Sequence, residues 1–272
     1  MGLWHRGVEI KTPEQIKAMR RAGLVVGETL AELRDAVRPG MTTADLDAIA
    51  ADAIRSRGAT PSFLGYHGFP ASICASVDEV IVHGIPGDRV LADGDIISID
   101  CGAIVDGWHG DSAITVALGE VPEQVTELLR VTEEAMWRGI AAAHLGGRVT
   151  DISHAVEAFV RGQGSYGIVE EYVGHGIGSA MHQPPNVPNY GRPGRGPKLV
   201  RGLALAVEPM ITLGSPDNEV LEDDWTVVTT DGSWAAHFEH TFALTSEGLW
   251  VLTALDGGEE ALARLGAPYG GR

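Results

Sequence analysis

The dipeptide Asp106-Gly107 lies between two apolar runs at residues 96–100 and 113–118, and it constrains this chain more than any other short feature. Asp-Gly favours the two-residue turn whose backbone twist matches that of a β-hairpin. With the turn placed there, residues 105 and 108 pair, and counting outward sets Asp111 opposite Gly102. Residues 100 and 102 share a face of their strand. The carboxylates of Asp100 and Asp111 are therefore diagonal neighbours, about 7–8 Å apart at Cα. Two like charges on a buried face raise one another's pKa unless a cation lies between them. On this pair alone, a metal site and two solvated aspartates at the hairpin ends are equal readings.

The rest of the chain alternates helix pairs with strands. Thr12, Pro13 and Gln15 mark a helix start, and Ile16, Met19, Gly23, Val26, Leu30, Leu33 and Val37 then recur in steps of three and four, which is one helix face. Pro39-Gly40 ends it. Thr42 and Thr43 open a second helix that stops near Gly58. A second pair runs from about Glu123 to Gly146-Gly147 and from about Thr150 to Arg161-Gly162. The stretches 40–46 and 147–152 echo each other weakly, which hints at two pseudo-equivalent halves. Strand-like runs occupy residues 72–82, 96–100, 113–118, 203–207, 226–230 and 241–245. This order predicts an α+β fold, with helices covering one face of a mainly antiparallel sheet. The expected division is an N-terminal segment at 1–10, one catalytic domain at 11–255, and a Gly- and Ala-rich flexible tail at 256–272.

Composition narrows the function. The formal charge of −17 repels phosphate backbones and argues against nucleic acid or an anionic membrane as partner. The basic residues Arg192, Arg195, Lys198 and Arg201 lie among Gly and Pro and read as a solvated loop. Apolar stretches are too short to cross a bilayer, and the first residues carry no signal-peptide pattern, so a cytoplasmic protein is expected. Cys74 and Cys101 have no paired spacing, so any metal must be held by other ligands.

Three further residues offer such ligands. His175 lies between Gly174 and Gly176, and the glycines are expected to let the backbone pass close to an ion. Glu208 closes the apolar run 203–207, and Glu239 sits between His237 and His240 just before another strand. A carboxylate ending a buried run is costly unless paired. Four carboxylates and one imidazole suit Mn, Fe or Co, with Zn also fitting. They are too many for one hydrolytic ion with an open position, but carboxylates can bridge two ions.

These residues resemble a known family. Residues 77–86 (VDEVIVHGIP), Asp100 with Asp111, the GHGIG run at 174–178, Glu208-Pro209-Met210 and Glu239-His240-Thr241 are similar to the type I methionine aminopeptidases, which have the pita-bread fold. The resemblance runs from about Ile10 to Leu252. It implies that Asp111 and Glu239 bridge two divalent ions, that Asp100 completes one site, and that His175 with Glu208 completes the other. It implies contact of His83 and His182 with the scissile amide, Glu208 as proton acceptor, and a methionine pocket at Tyr66, Phe69, Cys74 and Trp225. It also implies a monovalent-cation site near Asp78, which stands where relatives commonly carry Asn. Met181 stands where many have Phe.

The expected reaction is removal of the initiator methionine from nascent polypeptides with a small second residue, by water shared between the two ions. A monomer with transient ribosome contact is expected. No zinc-binding extension precedes the catalytic region and no large insertion separates Glu208 from Glu239, so a minimal bacterial-style enzyme is implied. Two rivals are an aminopeptidase or dipeptidase acting before proline, on the same fold with the same ligands, and a non-enzymatic adaptor. The first is expected to carry extra sequence before the catalytic domain. The second gains nothing from keeping the ligand set.

Overall fold

The structure, a computed structural model, describes residues 7–271; most of the expected N-terminal segment, residues 1–6, lies outside the described residues. Helix α1 (Pro13–Ala36) opens with a capping box in which Thr12 Oγ1 accepts from the Gln15 amide and the Gln15 side chain accepts from the Thr12 amide at 2.8 Å. Its buried face includes Ile16, Met19, Gly23, Val26, Leu30 and Leu33, as the spacing requires. Helix α2 (Thr43–Ser56) repeats the device with Thr42 and Asp45.

A two-residue strand β1 (Thr60–Pro61) and a 3-10 turn at Tyr66–Gly68 lead into β2 (Ile73–Val77) and β3 (Val80–Val82). The single run expected at 72–82 is broken because Asp78 turns the chain with a φ of 54°. Strands β4 (Ile96–Val105) and β5 (Trp108–Ala117) form the hairpin, with Gly102 opposite Asp111 as the Asp106-Gly107 turn dictates. Both turn residues have positive φ, 51° and 80°, the type I′ geometry.

The second helix pair is α3 (Glu123–Ala142) and α4 (Val149–Gln163). Short strands follow: β6 (Gly167–Ile168), β7 (Gly174–Gly176), β8 (Gln183–Val187), β9 (Ala204–Val207), β10 (Met210–Thr212), β11 (Asn218–Val220), β12 (Val227–Thr229), β13 (Ala235–His237), β14 (Glu239–Leu244) and β15 (Leu249–Val251), then helix α5 (Glu259–Arg264). The echo between the halves has a structural counterpart. Thr42 bridges to Val90 and Arg148 to Lys198, each immediately before the second helix of its pair.

The main sheet runs β1-β4-β5-β14-β9-β7-β8, with β2 also on β4 and β15 on β14, and its strand pairs are antiparallel. Two three-stranded sheets, β13-β10-β6 and β11-β12-β3, flank it. Helix α1 lies against the hairpin so closely that a Cβ on Gly110 would come within 2.7 Å of the Gly23 amide nitrogen. The core between helices and sheet holds Ile97, Ile99, Cys101 and Phe242, all fully buried. Arg192, Arg195, Lys198 and Arg201 are exposed, as a solvated loop requires. No helix among the described residues is long and apolar enough to cross a membrane.

The flexible tail expected at 256–272 is corrected by the structure over residues 256–271. Leu262 of α5 is fully buried, Pro268 O accepts from the Leu249 amide at 2.8 Å, and Leu249 O accepts from the Gly270 amide at 2.8 Å. Main-chain pairing to the edge of β15 orders a segment whose composition suggests a loose end. Residues 9–11 are likewise tied down. Glu9 accepts from the Ser179 amide at 3.0 Å, the Ser179 hydroxyl at 2.8 Å and the Gln183 amide group at 3.0 Å, while Lys11 donates to Glu9 O and Gln183 Oε1. Burial alone would raise the Glu9 carboxyl, but these hydrogen bonds overcome it and lower its pKa to about 2.

Candidate metal and peptide site

Strand alternation brings the acidic residues to one cavity. Asp100 on β4 and Asp111 on β5 share a face through the hairpin register, and Glu239 at the start of β14 pairs opposite Ala113, one step beyond Ser112. Glu208 follows β9, and His175 is the middle residue of β7. The ligand atoms fall into groups that lie within 4.8 Å of one another: Asp100, Asp111 and Glu239; His175, Glu208 and Glu239; and Asp111, His175 and His182. Asp111, His175 and Glu239 each belong to two of these groups.

The electrostatics match a cation site. Asp111 and Glu239 are buried at 3% and 2% exposure. One oxygen of each of Asp100, Asp111, Glu208 and Glu239 is buried with no hydrogen-bond partner. Burial raises all four carboxyls. The neighbouring acids push Asp111, Glu208 and Glu239 further, and Asp100 stands at about 7. Buried oxygens that repel one another and lack donors are expensive to leave so, and a divalent cation relieves both costs. With no thiolate in the set, the donors fit Mn, Fe, Co or Zn.

His175 is oriented by its own strand. Its Nδ1 lies 3.0 Å from Gly176 O, and a carbonyl only accepts, so Nδ1 carries the proton and Nε2 is left with a free lone pair. Nε2 faces Glu208 at 3.4 Å and Asp111 at 4.0 Å. Burial, then the nearby His182, lowers the His175 pKa to about 3. The flanking glycines have a different cause from the one expected. A Cβ on Gly174 would strike Ala206 O at 2.3 Å and one on Gly176 would strike Pro184 O at 2.3 Å, so close strand packing requires them, not approach to an ion.

His182 and His83 stand over the same cavity. The Tyr66 hydroxyl and His182 Nδ1 are 2.8 Å apart, and the His182 and His175 rings are 4.3 Å apart. His83 has a left-handed backbone, φ 60°, and its ring is edge-on to Tyr172 at 5.6 Å and Trp225 at 6.0 Å. Burial, with His182 adding to it, lowers the His83 pKa to about 4.

The cavity has a volume of about 290 Å³ and an apolar wall. Phe63, Phe69, Cys74 and Met181 are buried there as a cluster separate from the main core, with Tyr66 and Trp225 packed on it. Trp225 meets Phe69 edge-on at 5.1 Å and is set by Asp223, which accepts from the Trp225 and Thr226 amides. Cys74 lies opposite Asp100 in the β2–β4 ladder. Burial and then the Asp100 and Asp111 charges push its thiol well up, which makes it a wall and not a nucleophile. Cys101 points the other way into the core.

Sequence reasoning missed His67, Tyr172 and Phe63 as lining residues. His67 has a φ of 48° and sits edge-on to Tyr66 at 4.4 Å. Its place between Tyr66 and Gly68 in a tight turn was the available signal. Beside the expected monovalent-cation site, Asp78 accepts from the Ile96 amide at 3.0 Å and already faces a cation, the Arg89 guanidinium at 3.3 Å.

Comparison with known proteins places this geometry. Over residues 17–246 the chain matches the profile of metallopeptidase family M24. It is 54% identical over 245 residues to the methionine aminopeptidase of Clostridium acetobutylicum, covering 90% of this chain and 98% of that relative. The solved methionine aminopeptidase of Thermotoga maritima superposes with a TM-score of 0.89 at 41% identity, covering 91% of this chain and 99% of that one. A Xaa-Pro dipeptidase from Bacillus anthracis shares the fold at a TM-score of 0.72 and 24% identity, with 61% of its own length covered.

Proposed function

The chain belongs to metallopeptidase family M24 and, within it, to the methionine aminopeptidases, whose pita-bread fold it has, and from that premise we propose that it removes the initiator methionine from polypeptides with a small second residue. The observation that carries the proposal is the convergence of four carboxylates with orphaned buried oxygens and one oriented imidazole beside an aromatic slot.

In this reading Asp100 would complete one divalent-ion site and His175 with Glu208 the other, with Asp111 and Glu239 contributing to both. Bound there, the ions supply Lewis acidity toward the scissile carbonyl and lower the pKa of water. Glu208 is the proton acceptor that the family resemblance implies, and its carboxylate lies in the same cavity, 3.4 Å from His175 Nε2. His182 is held by Tyr66. With the phenol donating to Nδ1, the ring's own proton sits on Nε2 and points at substrate. His83, neutral at physiological pH, offers a second N–H toward the developing oxyanion. The slot formed by Tyr66, Phe69, Cys74, Met181 and Trp225 takes the thioether, which suits an apolar pocket with aromatic edges. Nascent chains as the physiological substrate, met in the cytoplasm by a monomer with transient ribosome contact, are part of the proposal that only the family resemblance supports.

The test is methionine release from Met-Ala-Ser by metal-stripped protein reconstituted with Mn, Fe or Co, alongside Glu208→Gln, Met-Pro and Xaa-Pro peptides. Ion-dependent release confined to Met-Ala-Ser and lost in the variant supports the proposal. Cleavage of Xaa-Pro peptides, or ion binding without cleavage, overturns it.

A further inference from the structure

The main sheet divides at the point where the shared carboxylates sit. One edge of β14 pairs with β5 at Glu239 and His240, then with β15 from Phe242 onward. Thr241 is the residue between. Its main chain has already turned to the β15 side: its amide donates to Thr253 Oγ1 at 3.1 Å and its carbonyl accepts from the Leu252 amide at 2.7 Å. The position across from it on β5 is Asp111, which is therefore left without a main-chain partner on that side.

The Thr241 side chain fills the gap. Its hydroxyl donates to Asp111 O at 2.8 Å and accepts from the Asp111 amide at 3.3 Å. The N–H and C=O of one strand residue point the same way, so both main-chain groups of Asp111 meet this one hydroxyl. The reverse contact also exists. Ser112, next to Asp111, donates its hydroxyl to Glu239 O at 2.5 Å. Thr241 and Ser112 are fully buried, so water has no route to replace them.

We propose that Thr241 and Ser112 are positioning residues for the metal centre: the Thr241 hydroxyl takes the place of the missing ladder at Asp111, and the Ser112 hydroxyl adds a bond to the Glu239 carbonyl at the last paired step, so that together they fix the main chain of the two carboxylates the two-ion reading shares between ions. Neither touches substrate or ion. The inference rests on the two-ion reading of the site. Partners that orient metal ligands are typically worth about 10-fold to 100-fold in metal affinity.

The experiment titrates metal-stripped wild type, Thr241→Val, Thr241→Ser and Ser112→Ala with Co(II) in a calorimeter, and records kcat and KM for Met-Ala-Ser at saturating Co(II). Thr241→Val keeps the shape and removes the hydroxyl. We expect its Co(II) dissociation constants to rise about 10-fold to 100-fold, with kcat reduced more than KM is changed, and Thr241→Ser to restore both. A role confined to holding the fold would lower the melting temperature of Thr241→Val and leave its Co(II) constants at the wild-type values, and that result overturns the inference. If Thr241→Val does not fold, Ser112→Ala carries the same test, and unchanged Co(II) constants there overturn it. Wild type that binds no Co(II) removes the two-ion reading and this inference with it. Two ions bound equally by wild type and variants remove the inference alone.

Discussion

The two faces of the β4–β5–β14 strands differ in their polar side chains: the helix side carries chiefly Ser112 and His240 with their partners in place, and the cavity side carries the acids Asp100, Asp111 and Glu239. On the helix side, His240 Nδ1 has hydroxyl partners at Ser112 (3.2 Å) and Thr253 (2.8 Å), and its ring packs on Trp137 at 4.9 Å. Its neighbours there are the fully buried Ile99, Cys101 and Phe242. On the cavity side, Asp100, Asp111 and Glu239 keep buried oxygens without partners. A chain that satisfies its polar groups one residue away and leaves these bare has a face built for stability and a face built to hold charge. The unsatisfied groups are a reservoir that a cation discharges.

The contrast breaks most sharply at Asp111. Asp111→Asn should lower kcat/KM by at least about 10³-fold, since in the proposed function it removes an anionic ligand common to both ions. The same change should raise the melting temperature of the metal-free protein at alkaline pH, where the raised carboxyls are ionised and Asp111 is one of the repelling charges. Calorimetric scans with and without Co(II) would show the two signs; a metal-free variant less stable than wild type would contradict the idea that the face is strained when empty.

Next in size is Tyr66→Phe. Without the hydroxyl 2.8 Å from His182 Nδ1, the ring loses its orientation and kcat should fall about 10-fold to 100-fold while the bound metal content is unchanged. Steady-state kinetics with metal analysis reads both. Equal kcat would place the Tyr66 hydroxyl outside the mechanism.

The pH dependence sharpens the same comparison. Asp100 has a folded pKa of about 7 against an ordinary value of 3.8, and burial with neighbouring acids raises Asp111, Glu208 and Glu239 as well. Folded metal-free protein thus binds more protons than the unfolded chain, and its stability must fall as pH rises from about 4 through about 7, the reverse of the usual aspartate behaviour. Metal must displace those protons, so Co(II) affinity should rise over the same interval. Glu9 works in the ordinary direction, its contribution being lost only as pH falls from 4.5 through about 2. Denaturant midpoints of stripped protein at pH 5 and pH 8 check the first claim; a higher midpoint at pH 8 would contradict it.

The smallest effect belongs to the other face. Ile99→Val removes one buried methylene on the helix side and should cost about 0.5–1.5 kcal/mol, with Co(II) affinity and kcat unchanged. A shifted metal affinity would mean that the two faces are not independent.

The sequence made some of this legible and concealed the rest for physical reasons. Helices α1 and α2 carry capping boxes, and the hairpin carries Asp-Gly, so local chemistry alone fixed their limits and set Asp111 opposite Gly102. Strands β6, β7 and β13, of two or three residues, are too short to show alternation. The ordered segment after Asp256 was hidden because what holds it, main-chain bonds to Leu249, one buried leucine at 262 and the Arg264–Glu134 ion pair, forms no periodic pattern. At the site, the ligand residues stood out by type and by family resemblance. Their supports did not: the Thr241 bond to Asp111 and the Tyr66 bond to His182 span 130 and 116 residues, and no local pattern announces them.

The most direct test of the central claim is a calorimetric titration of metal-stripped protein with Mn(II) or Co(II), in two buffers of different protonation enthalpy near pH 7. The account predicts two ions per chain and protons released on binding, because the cavity face exchanges protons for metal. A chain that binds no ion, or binds without releasing protons, would contradict it.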